Sequence, residues 1–260
     1  LAENNTGYSN LMKIVSIGYT EGYYYRPRVD FETLEKYHEG LICLSACLAG
    51  EIPRYIVRGF YEEAKKVAIK YCDCFGKDNF FLELQDHGIS DQKLVNQQLL
   101  RMSEELGIGL VCTNDCHYTY ETDVEAHDVL LCIQTGKKVM DEDRMRYEGG
   151  QFFVKSEAQM RALFGYATQA VDNTQKIAER CNVEIEFGNY KIPKYEVPEG
   201  YASAWEFLNA LCEKGFEEKY RNNPEYDDAA RAEIYDAMQY ELGIIQKMGF
   251  VEYILIVWDY

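Results

Sequence analysis

The sequence predicts an α/β fold in its first part, with βα units around a parallel sheet or barrel, followed by a mostly helical second part. Two observations carry this. Short apolar runs alternate with helix-length amphipathic segments up to about residue 150, and beyond a Pro- and Gly-punctuated stretch only long helical patterns remain. The 260 residues suffice for one large domain or two smaller ones.

Taken in order, Ser9–Gly18 has helical spacing of Leu11, Ile14, Val15 and Ile17, and Gly40–Ser45 reads as a buried strand after a Gly stop. Phe60–Phe75 is helical, with Ala64, Val67, Ala68 and Tyr71 on one face, and Asn79–Gln85 is a strand. Ser90–Leu106 is a helix opened by a Ser cap and ended by Gly107. Ile108–Thr113 is a strand, and the helix Val124–Ile133 is closed by Gly136. Helices follow at Ser156–Phe164 and Ala167–Cys181. Ile192–Gly200 holds two prolines and a glycine and is the best linker, after which Ala202–Tyr220 and Tyr226–Met248 are long amphipathic helices. The apolar start at 249–260 is left unfinished, and the chain opens without Met in mid-pattern, so a fragment of a longer protein is expected.

With 27 Lys+Arg against 44 Asp+Glu the formal charge is −17. Residues 1–70 are balanced at 9 against 9, so the excess acid lies in the remainder. Such a surface repels phosphate backbones, which argues against non-specific nucleic-acid binding by this stretch but not against a metal site. No apolar run is long enough to span a bilayer, and no secretory signal opens the chain. Nine cysteines, an odd number, fit a reducing cytoplasm better than a disulfide framework, and no pair of CxxC motifs suggests a closed zinc site.

The chemistry-bearing residues gather at strand ends. Alternation puts Glu83, Gln85 and His87 on one face, and Asp115 and His117 on one face of the next strand; Cys47 follows the first strand. In a parallel arrangement, Cys47, His87, Asp115 and His117 emerge at one carboxyl-terminal edge, where βα barrels keep their sites. Imidazole, carboxylate and thiolate suit Zn, or Mn or Fe with more oxygen ligands. The bland alternative is that the cysteine is core and the histidines are loop residues.

Several stretches resemble one family. They are Tyr24-Tyr25-Arg26-Pro27-Arg28-Val29-Asp30, Glu39–Glu51, Glu83-Leu-Gln-Asp-His87-Gly88, Thr113-Asn-Asp-Cys-His-Tyr118, Ala126–Gly136 and Met248–Tyr260. In this order they resemble the alpha subunits of bacterial DNA polymerase III, the replicative C-family polymerases. The resemblance runs from inside the polymerase-and-histidinol-phosphatase (PHP) domain, over 1–195, into the start of the palm region, over 196–260. It implies a distorted βα barrel whose edge holds two or three metal ions, Zn or Mn, with Cys47, His87, Asp115 and His117 among the ligands. Some members have lost these side chains; four remain here, which favours the metal-binding type. Arg26 and Arg28 are expected to face the edge, and His127 to be structural or to support a ligand.

The family's opening His-x-His motif is expected before residue 1 and the catalytic palm carboxylates beyond residue 260. For the whole protein the resemblance implies Mg-dependent, template-directed DNA synthesis in the cytoplasm, with template-primer, deoxynucleoside triphosphates, the sliding clamp and other replisome subunits as partners. For the PHP part it implies 3′–5′ exonuclease activity. The alternatives are a metal-stabilised structural module without hydrolysis, or a free-standing phosphoesterase.

Overall fold

A computed structural model describes residues 1–147, 149–189 and 191–260. The chain forms two compact units, Leu1–Ile185 and Glu186–Tyr260.

In the first unit three short strands, β1 (Cys43–Leu44), β2 (Phe80–Leu84) and β3 (Gly109–Cys112), form a parallel sheet in the order β1-β2-β3. The register sets Cys43 opposite Phe80 and Leu84 opposite Cys112, so all three strands run out at the same edge. The mixed helix-and-sheet class is therefore as expected, and among the described residues the sheet has these three strands.

β2 is buried on both faces, as a central parallel strand should be. Phe80, Leu82 and Leu84 point into the main core with Ile52, Ala64, Ala68, Val95, Leu99 and Met102. These come from α3 (Glu51–Val57), α4 (Tyr61–Phe75) and α5 (Ser90–Leu106). Phe81 points the other way, to Ile42, Val111 and Ile177 of α8 (Thr168–Arg180). Two helical layers on opposite faces follow directly from that alternation.

Most elements lie where the periodicity puts them, with instructive differences. The strand expected over Gly40–Ser45 pairs over two residues only. Ser90 is the first residue of α5 rather than its cap; Ile89 stands at the cap and offers no side-chain acceptor. Gly107 and Gly136 do close α5 and α6 (Val124–Thr135) in the left-handed conformation, with φ of 64° and 66°. α7 (Glu157–Leu163) is held by a reciprocal cap between Ser156 and Gln159. Two short helices, α2 (Phe31–Tyr37) and α3, carry too few turns to show a period. α1 (Asn5–Thr20) begins at the Asn4 cap, and its Gly7 lies against Gly40, where a Cβ would meet the Gly40 carbonyl oxygen at 1.8 Å.

The second unit is helical, as expected. α9 (Ala204–Phe216) runs into a π-helical segment, Glu217–Arg221, and is followed by α10 (Asp228–Lys247) and α11 (Val251–Asp259). Phe207, Leu208, Leu242 and Leu255 form its core. Ser203 and Asp227 cap α9 and α10 by accepting from Glu206 N and Ala230 N.

Candidate metal centre at the strand ends

The parallel register brings the loops after β1, β2 and β3 to one edge, and a carboxylate fastens them together. Glu83 Oε2 accepts from the backbone N–H of Ala46 at 3.0 Å, beside Cys47. Its other oxygen accepts from the Thr113 hydroxyl, two residues before Asp115, and from Gln85 Nε2 at 3.3 Å. Gln85 Nε2 also donates to Thr113 Oγ1 at 3.0 Å, and the Ser45 hydroxyl accepts from Glu83 N at 2.8 Å. Gln85 Oε1 is buried without a hydrogen-bond partner among the described residues. Ala46 and Asp115 hold positive φ values of 64° and 43°, a conformation that costs a side-chain-bearing residue energy and that this network helps to hold.

Asp115 and His117 stand close together, with Asp115 Oδ1 3.5 Å from His117 Nε2 and both side chains part-exposed. The His117 ring lies 4.3 Å from the Tyr147 ring, 5.6 Å from His127 and 5.8 Å from Phe152, and its backbone N–H donates to Phe152 O. Burial raises the Tyr147 hydroxyl above its ordinary pKa, and the neighbouring Asp115 and Cys47 push the same way.

His87 has a different environment. It is 2% exposed and stacked on Phe152, with ring centroids 4.0 Å apart and planes 8° from parallel. Its backbone N–H donates to Gln92 Oε1 at 2.8 Å, which turns the Gln92 NH2 toward His87 Nδ1, also at 2.8 Å. Nδ1 is therefore an acceptor, and the proton sits on Nε2, which donates to Asn114 O at 2.7 Å. This assignment needs no assumption about the ring, because a backbone N–H only donates and a carbonyl only accepts. Both ring nitrogens are engaged, so ligation by His87 requires one of these bonds to be given up.

Asn114 ties the Asp115–His117 loop to residues 151–155. Its amide donates to Phe153 O at 2.6 Å and its oxygen accepts from Lys155 Nζ at 3.2 Å. Burial lowers the Lys155 pKa. His127, on α6, packs its ring against Tyr118 and Tyr147 at 5.2 Å each. The adjoining cleft, lined by His127, Asp128, Arg144 and Arg146, is ordered by a two-pronged Arg144–Asp128 pair at 2.5 and 2.6 Å.

Arg26 and Arg28 belong to the turn between α1 and α2. Arg28 Nη1 donates to Tyr24 O at 2.8 Å, and among the described residues neither arginine is bonded to the strand-end loops. The sheet thus brings the loops of Cys47, His87, Asp115 and His117 to one edge and pairs two of the four side chains. No group of three or more His, Cys, Asp or Glu at metal-binding spacing occurs among the described residues. Sequence reasoning missed Gln92, Asn114 and Tyr147; only Asn114, inside the Thr-Asn-Asp-Cys-His run, lies in a stretch that stood out.

Comparison with known proteins identifies the chain's relatives. A family model described as the PHP domain matches residues 1–87, and one described as the bacterial DNA polymerase III alpha NTPase domain matches residues 206–260. The DNA polymerase III subunit alpha of Borreliella burgdorferi is 44% identical over 261 residues, covering 100% of this chain and 22% of the relative. That of Treponema pallidum is 43% identical over 260 residues, again with 100% and 22% covered. That of Thermus aquaticus is 34% identical over 313 residues, with 100% and 26% covered. The chain spans about a fifth to a quarter of the length of these relatives. Through both matched regions and along its whole length, the chain belongs to the bacterial DNA polymerase III alpha subunit family.

Proposed function

We propose that this chain is the part of a replicative DNA polymerase alpha subunit that contributes a PHP domain over 1–195 and the beginning of the palm over 196–260. The parent protein carries out template-directed DNA synthesis with Mg, on template-primer and deoxynucleoside triphosphates, together with a sliding clamp and other replisome subunits in the cytoplasm. The support is similarity along the full chain to proteins named DNA polymerase III subunit alpha. The chain spans about a fifth of these relatives, so in this reading the polymerisation chemistry is assigned to the parent protein and to no residue here. The three-stranded parallel sheet is read as part of a distorted barrel completed by further strands of the parent protein.

The strand-end edge is the domain's metal centre in this reading, with Asp115 and His117 as its nucleus and Cys47 beside them. The donor types suit a divalent ion such as Zn or Mn, and the 3.5 Å approach of Asp115 to His117 is the observation that carries the assignment. When bound, such an ion supplies a water activated for 3′–5′ phosphodiester hydrolysis. The chain's own residues position that chemistry. Glu83 holds the Cys47 and Asp115 loops in register, Asn114 fixes the Asp115–His117 loop against 151–155, and Tyr147 and Phe152 wall the His117 ring.

A second reading has one observation in its favour. His87 has no free ring nitrogen, as suits a module in which the metal stabilises the fold without hydrolysis. Both readings are tested on the full-length polymerase with Asp115→Asn and His117→Gln. Loss of metal-dependent 3′–5′ hydrolysis of a single-stranded oligonucleotide, with primer extension retained, supports the hydrolytic site. Unchanged hydrolysis refutes it, and a lower chelator-sensitive Tm in the same variants then supports the structural role.

A further inference from the structure

The Tyr24–Asp30 motif is not used by the metal centre, and its structure is unusual. The end of α1 and the turn between α1 and α2 expose Tyr19, Tyr23, Tyr24 and Tyr25 by 60, 59, 68 and 80%. Isolated exposed tyrosines are ordinary, but four within seven residues, followed by Arg26-Pro27-Arg28, are not. The turn is also built rather than loose. Arg28 N donates to Gly22 O at 3.2 Å, Tyr24 N to Arg26 O at 3.2 Å, and Arg28 Nη1 to Tyr24 O at 2.8 Å. A Cβ on Gly22 would lie 1.9 Å from Arg28 O, so only glycine permits this closure. At its tip Tyr25 is held at φ 59°, a left-handed conformation that a bulky residue avoids unless its surroundings impose it.

The rings stand in ordered pairs. Tyr19 and Tyr23 are within 24° of parallel at 6.2 Å, Tyr24 and Tyr25 meet edge to face at 4.6 Å, and the Arg28 guanidinium lies 5.9 Å from the Tyr24 ring. Among the described residues Arg26 makes no side-chain hydrogen bond, and neither arginine forms an ion pair. Residues 19–28 hold two arginines and one acid, Glu21, in a chain of net charge −17.

We infer that this turn is a stacking platform for single-stranded DNA. Aromatic faces accept unstacked bases of any sequence, and flanking guanidinium groups contact the phosphates between them. Duplex DNA offers no free base faces to such rings. Tyrosine and arginine serve protein contacts as well; two guanidinium groups without an ion pair among the described residues favour a phosphate-bearing strand here. The inference is independent of the metal centre: the platform binds whether or not the strand-end edge hydrolyses anything.

The test uses the full-length polymerase and a single-stranded 16-mer carrying one 5-iodo-deoxyuridine, irradiated in the near ultraviolet, with adducts mapped by mass spectrometry. Adducts are expected on the peptide holding Tyr23, Tyr24 and Tyr25, and Tyr23→Leu/Tyr24→Leu should remove them at least tenfold. Adducts elsewhere on the polymerase should persist, which shows that the variant is folded. Absence of adducts on residues 19–28 while others form overturns the proposal. Nitration of tyrosines by tetranitromethane gives a second arm. Modification of this peptide without DNA and protection by unmodified oligonucleotide support the platform, whereas protection already present without DNA shows the rings covered by protein and overturns it.

Discussion

The substitution Gln92→Leu removes both of Gln92's bonds to His87, the acceptor of its backbone N–H and the donor to Nδ1, each at 2.8 Å. His87 and Gln92 are 2% and 5% exposed, so water does not replace either partner. A buried polar group left unsatisfied costs about 1–3 kcal/mol, so the two orphaned groups together cost about 2–6 kcal/mol. The more apolar leucine returns about 1 kcal/mol through burial. The net loss is then about 1–5 kcal/mol, centred near 3, a large share of a typical domain stability of about 5–15 kcal/mol. At about 2–4 °C per kcal/mol for a unit of this size, a loss near 3 kcal/mol lowers Tm by about 6–12 °C. Urea unfolding in chelator, followed by far-ultraviolet circular dichroism, reads this directly as a lower midpoint at unchanged slope. A loss below about 1 kcal/mol would show that the ring is not clamped as described. Metal titration of the same variant addresses the ligand question, because freeing Nδ1 should strengthen binding if His87 ligates and leave it unchanged if it does not.

Three further outcomes are expected. Gly7→Ala sets a Cβ 1.8 Å from the Gly40 carbonyl oxygen, a backbone atom that cannot swing aside, and should cost about 1–3 kcal/mol or more in urea unfolding. Arg144 holds the Asp128 carboxyl below its ordinary pKa through their two hydrogen bonds, so this contribution is complete above the unfolded-state value and fades as the pH falls through the folded one. Arg144→Met should therefore destabilise most near neutral pH, with the gap to the parent protein closing below about pH 4 in pH-dependent unfolding. Burial pushes the thiols of Cys43 to about 11 and Cys112 to about 12, so iodoacetamide at pH 8 should spare both in the folded protein while modifying the exposed Cys116, as peptide mapping would show.

What the sequence reveals and what it hides divide along physical lines. Segments with several turns or a buried alternating face, such as α4, α5, α8 and β2, are legible because burial imprints its period on the residues. α2 and α3 have seven residues each, too few to show a period, and β1 pairs over two residues. The site follows the same division. That Cys47, His87, Asp115 and His117 follow three strands is readable, and parallel register then delivers their loops to one edge. Whether a histidine at that edge faces outward as a donor or inward as a hydrogen-bonded core residue is decided by partners outside its own strand, both near and distant along the chain. His87 is held by Gln92, five residues on, and by Asn114, 27 residues on, and is stacked on Phe152, whereas His117 keeps Asp115 two residues away and is part-exposed. The two imidazoles look alike in the sequence, yet their surroundings give them different chemistry. The Asp-x-His spacing is local and survives translation into structure; the role of a single strand-end histidine is non-local and does not. Asp115→Asn and Gln92→Leu therefore probe separable properties. The first should alter metal binding with little change in chelator-treated stability, the second should lower that stability whether or not metal is present, and coincident effects would refute the separation.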